Sequence, residues 1–92
     1  MDNIKKIDLL KKIINEVDPM GLIDFDTPES LNEYNPELKE IFKKDISNFD
    51  SEELGQWIYD VFVLFFDEEL ANGKEKYYLI AKKYLDSAHN VK

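Results

Sequence analysis

Residues 49–71 read FDSEELGQWIYDVFVLFFDEELA, and the fold turns on this stretch. Asp50 and Glu53 hold the N-cap and third positions of a capping box, where each side chain accepts the backbone N–H at the other's position. Phe49 before the cap and Leu54 after it are spaced as a hydrophobic staple. Leu54, Trp57, Ile58, Val61, Phe62 and Phe65 then recur at three and four residues, the period of a helix face. Val63, Leu64 and Phe66 fill the other faces, so 61–66 is apolar all round, the pattern of a buried central helix. Gly55 is poor for helix stability, and its missing side chain allows a close helix contact. The spacing predicts a helix over about 51–71, closed by Ala71-Asn72-Gly73. On this reading Trp57, Phe62 or Phe65 cut to Ala costs ~3–5 kcal/mol and comes close to unfolding the chain.

The flanking sequence is helical too. Ile4, Ile7, Leu10, Ile13, Ile14 and Val17 form an amphipathic stripe over about 3–17, ended by Asp18-Pro19, since proline disfavours the helical conformation in the residue before it. Gly21 suits a positive-φ turn. Residues 18–35 are the irregular, acidic part. Within them Thr27-Pro28-Glu29-Ser30 supports a single helical turn, and Asn35-Pro36-Glu37 starts a helix of about 36–45 with Leu38, Ile41 and Phe42 on one face. Tyr77, Ile80, Ala81, Tyr84, Leu85 and Ala88 give an inward face to a helix of about 74–87, and His89 to Lys92 reads as a fraying end. No alternating strand and no solenoid repeat is present. The expectation is one all-α, four-helix domain over 1–92 with the third helix central.

Composition narrows the function. The 92 residues carry 20 acids, 12 Lys, no Arg and no Cys, for a formal charge of -8. Residues 1–12 sum to +2, residues 13–70 to -13 and residues 71–92 to +3. An acidic middle repels phosphates and anionic membranes and attracts basic protein surfaces. Without Arg the usual bidentate phosphate contact is missing, which argues against nucleic acid. Without Cys there is no disulfide scaffold, thiolate metal site or Cys nucleophile. The N-terminus lacks the apolar run and cleavage site of a signal peptide, and no segment reaches the ~18–20 apolar residues of a membrane span, so the expected location is the cytoplasm.

Catalytic and metal motifs fail on inspection. A calcium loop starting at Asp24 needs Gly at its sixth position and Glu at its twelfth, where Glu29 and Asn35 stand. One histidine, His89, gives no His-rich zinc site, and three scattered glycines make no phosphate loop. Asp67, Glu68 and Glu69 oppose the dipole at the end of the third helix and read as solvated charge or a recognition patch. No catalytic residue, cofactor or metal is expected. Tyr77 and Tyr84 read as core-rim residues with hydroxyls in water, whereas Tyr34, Tyr59 and Tyr78 fall outside the stripes as interface candidates.

INEVDPMGL, EYNPELKEI, SEELGQWIYDVFVLFF and LIAKKYL, taken in order, resemble the YugE-like family of small bacterial proteins over about residues 13–85. The most specific element is Asp18-Pro19-x-Gly21-Leu22, preceded here by Val17 where the family carries Trp. The resemblance implies an all-helical fold and brings no catalytic residue. Small acidic helical proteins also serve as immunity proteins beside toxins, an analogy at the level of class.

The sequence therefore points to a non-enzymatic protein-binding module, most concretely a cytoplasmic immunity protein or antitoxin covering a basic toxin domain. The alternative is a structural or regulatory accessory protein acting as a homodimer. The expected contact surface is Asp24, Asp26, Glu29, Glu33, Tyr34 and Glu37, extending to Asp60, with Tyr34 as the anchor.

Overall fold

The apolar stripe of the first segment folds as α1, Asn3–Val17, which buries Leu10, Ile13 and Ile14. It stops because Asp18, ahead of Pro19, leaves the helical region for φ 50. Gly21 takes φ 68, the positive φ its lack of a side chain permits. A single 3₁₀ turn follows at Pro28–Asn32, then α2 at Asn35–Ile41, α3 at Ser51–Phe66, α4 at Glu68–Ala71 and α5 at Lys74–Asn90. The computed structural model describes residues 3–24, 26–71 and 73–90, without the side chains of Asn3, Ile4, His89 and Asn90. The places given above to Ile4 in the first stripe, to Asn72 in the helix closure and to Val91 and Lys92 in a fraying end lie outside the described residues. Among these residues every regular element is helical and no strand occurs. Among the described residues no helix is long and apolar enough to cross a membrane.

The capping box forms as expected. Glu53 N–H donates to Asp50 Oδ1 at 2.8 Å and Asp50 N–H to Glu53 Oε1 at 3.4 Å. Gly55 also acts as expected, because α5 crosses α3 there. A Cβ on Gly55 would fall on the Tyr78 ring, 2.7 Å from Cε1 and 3.0 Å from the Tyr78 Cα. α3 packs on α2, α4 and α5, while α1 packs on α5 and α2. Trp57 ties α2 to α3 by donating its indole N–H to the Ile41 carbonyl at 3.0 Å. The rings of Tyr34, Tyr77 and Phe66 gather around Phe62, with centroids 5.7, 5.1 and 5.9 Å away.

Several elements depart from the sequence reading. The long helix over 51–71 is broken at Asp67, which takes φ 77 and ψ 170, a region costly for any residue but glycine. The break lets α4 turn Ala71 into the core, where its carbonyl accepts the Tyr77 hydroxyl at 2.7 Å. Tyr77 therefore does not rim the core with its hydroxyl in water; it is wholly buried, and burial pushes its hydroxyl up to about 12. The helix of 36–45 ends at Ile41, and residues 42–50 lead to α3 without regular structure. The last helix runs past Ser87 to Asn90. Residues 61–66 are not buried all round: Leu64 is 71% exposed and Phe65 43%. Phe65 is therefore not a core residue, and its loss is not expected to unfold the chain.

Candidate functional site

The acidic stretch is a built loop whose turns are held by Asp18, Asp24 and Ser30. Asp18, at the left-handed end of α1, accepts the N–H groups of Leu22 at Oδ1 (2.8 Å) and Ile23 at Oδ2 (3.1 Å). The Tyr34 hydroxyl donates to Asp18 Oδ1 at 2.5 Å and accepts from Met20 N–H at 3.1 Å. Burial, reinforced by the Asp18 carboxylate, pushes that hydroxyl well above the usual phenol range. Asp24 accepts from Asp26 N–H at 2.9 Å and from the Thr27 hydroxyl at 3.1 Å, an Asx turn. The buried Ser30 hydroxyl accepts from Asp24 N–H at 2.7 Å and faces the Asp24 and Thr27 carbonyls at 2.8 and 2.9 Å. Asn15 of α1 donates to the Leu31 carbonyl at 3.1 Å, and Lys11 donates to Asn32 at 2.8 Å. The stretch is thus fastened to α1.

Two members of the expected surface are consequently unavailable to a partner. Tyr34 has no exposed surface, so it is a core residue and not an anchor. The sequence placed it outside every stripe because it precedes α2, where helical periodicity says nothing. Glu37 is 3% exposed with Oε2 lacking a hydrogen-bond partner, and burial raises its carboxyl above the usual range, aided by the Glu33 charge. Asp24, Asp26, Glu29 and Glu33 remain exposed. Asp60 is exposed on α3, where it accepts from the Gln56 amide at 2.9 Å. Gln56 in turn accepts from Lys74 and Tyr78 of α5, both at 3.4 Å. Asp60 therefore belongs to the α3 and α5 side of the molecule. Tyr59 and Tyr78 are only half-exposed, Tyr59 packing edge-on to Tyr77 at 5.6 Å.

The corner between α3 and α4 has the opposite character. Leu64, Phe65 and Leu70, the last 59% exposed, stand in solvent around the break at Asp67. Asp67 accepts from Leu70 N–H at 2.9 Å, capping α4. Glu68 and Glu69 follow the α3 C-cap Asp67 and fall in the first turn of α4, not within the last turn of a helix running to residue 71. Asp60 lies four residues before Leu64 and so neighbours it on the helix surface. Asp60, Asp67, Glu68 and Glu69 are thus near neighbours in sequence of three exposed large apolar side chains. The sequence showed these residues as an apolar run followed by an acidic run; what it hid was the break that leaves the run's end uncovered.

A groove of about 630 Å³ opens between the start of α1, residues 42–47 and the end of α5. Ile7, Phe42, Ile46, Tyr84, Leu85 and Ala88 give it an apolar floor, and Lys6, Lys43, Lys44 and Asp45 its charges. Lys43 pairs with Glu40 at 3.1 Å, and Lys44 lies over the Trp57 ring at 4.0 Å. Hydrogen bonds from Ser47, with Lys6 nearby, hold the Asp45 carboxyl below its usual range. Among the described residues no group of three His, Asp or Glu converges as a metal site.

No family model, curated protein or solved structure matches the chain. The likeness to the YugE-like proteins rests on the quoted residues alone. In this structure its most specific element, Asp18-Pro19-x-Gly21-Leu22, is the loop that Asp18 and Tyr34 hold together.

Proposed function

We propose that this chain is a non-enzymatic, acidic protein-binding module, built around α3, that docks a basic partner on the α3–α4 corner. The observation that carries the reading is the exposure of Leu64, Phe65 and Leu70 beside Asp60, Asp67, Glu68 and Glu69. Exposed apolar patches rimmed by polar residues mark interaction sites. Aromatic side chains such as Phe65 are favoured interface contacts. The net charge of -8 speeds encounter with a basic surface, with association rates up to ~10⁸–10⁹ M⁻¹s⁻¹ at low salt. In its most concrete form the partner is a toxin domain and the chain its cytoplasmic immunity protein or antitoxin. YugE-like membership is part of the same proposal.

The test is copurification from the native cell with three forms of the chain. Wild type, a corner variant (Leu64→Ser with Phe65→Ser) and a loop variant (Asp24→Lys, Asp26→Lys and Glu33→Lys) are compared. A partner lost with the corner variant and kept with the loop variant supports the placement. The reverse pattern moves the site back to the acidic loop, and a partner kept by both variants removes it from either surface.

A further inference from the structure

We infer that a second copy of this chain is itself a ligand of the corner, seating Leu64, Phe65 and Leu70 in the groove lined by Lys6, Lys43 and Lys44. The inference rests on the corner being a docking surface, and it names one partner for it. The two surfaces match in chemistry. The corner offers apolar side chains edged by Asp67, Glu68 and Glu69; the groove offers an apolar floor edged by three lysines and one aspartate. The groove's volume of about 630 Å³ is within the ~300–1,000 Å³ of sites that take drug-sized ligands, and so admits a few side chains. Both engaged lysines keep N–H donors for a carboxylate, since each ammonium has three.

Geometry makes the contact intermolecular. Residues 42–47 of the groove lie beside the first half of α3, with Lys44 over Trp57, whereas Leu64 stands seven residues further on, about 10 Å along the axis of a rigid helix at 1.5 Å per residue. One molecule cannot close its corner into its own groove. Because corner and groove differ, the contact is head to tail and leaves a free corner and a free groove at the ends, so association grows with concentration. The net charge of each copy opposes approach. At 0.15 M salt, charges more than about 8 Å apart are screened, while close pairs at a partly buried contact persist.

Mixing distinguishes this arrangement from any symmetric one. The corner variant Leu64→Ser with Phe65→Ser keeps an intact groove. The groove variant Lys6→Glu with Lys43→Glu keeps an intact corner. Mass is followed by sedimentation at 0.15 M salt up to about 1 mM chain, where contacts with Kd near 1 mM are half populated. Circular dichroism and melting check that each variant stays folded. Wild type should rise above its 10.9 kDa monomer mass with concentration, each variant alone should stay monomeric, and the mixture should form a one-to-one dimer. A monomeric wild type, a folded variant that still associates alone, or a mixture that remains monomeric overturns the inference. A monomeric wild type whose corner variant nonetheless loses a cellular partner leaves the docking reading standing and removes only the self-contact. Self-contact without a corner-dependent cellular partner does the opposite.

Discussion

The stretch from Asp18 to Glu37 and the corner from Leu64 to Leu70 exchange the roles their compositions suggest. The first is acidic and irregular, yet it delivers Tyr34 and Glu37 to the interior and uses Asp18 and Asp24 to hold its own turns. The second takes in the end of the most apolar run in the chain, residues 61–66, yet it leaves Leu64, Phe65 and Leu70 in water. Coverage by neighbouring elements decides both outcomes. α5 crosses α3 at Gly55, near the start of that helix, and Tyr77 reaches Phe62. Beyond Phe62 the chain breaks at Asp67, and α4 turns Ala71 inward in place of a longer apolar face. A helix side chain is buried where another element lies over it, whatever the composition around it.

The sharpest test pairs Tyr34→Ala with Phe65→Ala. Tyr34→Ala empties a fully buried site beside Phe62 and should cost ~3–5 kcal/mol. In a chain of this size each kcal/mol moves Tm by about 4–8 °C, so this variant should melt far below wild type. Phe65→Ala should change stability by no more than about 1 kcal/mol, since much of the ring is already in water. Comparable losses in both melts would erase the contrast. Gly55→Ala comes next, at ~1–3 kcal/mol, because the new methyl meets the Tyr78 ring and the backbone of α5 behind it. A denaturant midpoint matching wild type would show that α5 does not cross there. Asp18→Ala should cost ~1–3 kcal/mol by leaving the Leu22 and Ile23 N–H groups and the Tyr34 hydroxyl without their acceptor. Tyr34→Phe combined with it should cost less than the sum of the two single changes, because both remove the same bond.

The helical class, the capping box and the tight contact at Gly55 were legible because each depends on neighbours within one turn of chain or on the absence of a side chain. Tyr34 was misplaced because its burial follows from a partner sixteen residues earlier, Asp18, and from Phe62 on another helix. The break at Asp67 was illegible for a different reason. Asp67-Glu68-Glu69 is compatible with continued helix, and only the need to bring Ala71 to the Tyr77 hydroxyl accounts for a costly backbone there. Of the expected contact surface, exposure was read correctly for Asp24, Asp26, Glu29, Glu33 and Asp60. The groove had no local signature, since its lining comes from three separated segments.

The smallest expected effect concerns Glu37, whose burial is the least foreseeable feature of the acidic stretch. Oε2 has no hydrogen-bond partner, and desolvation with the Glu33 charge favours the protonated form. The folded chain therefore retains a proton at a pH where the unfolded chain, with an ordinary Glu near 4.3, has released it. In that window the folded state binds more protons, so this group's contribution to stability falls as pH rises. It is fully present below the unfolded value and lost as pH passes through the raised folded value. Glu37→Met keeps similar bulk without the charge and should stabilise the chain by about 1 kcal/mol at pH 7. The gap between variant and wild type should narrow as pH falls toward 4, because the wild-type carboxyl then carries its proton in both states. Urea titrations of the two proteins across that range read the gap directly, with the other carboxylates cancelling between them. A gap that does not change with pH, or a variant no more stable than wild type at pH 7, would place Glu37 in water and return the acidic stretch to the surface its composition suggests.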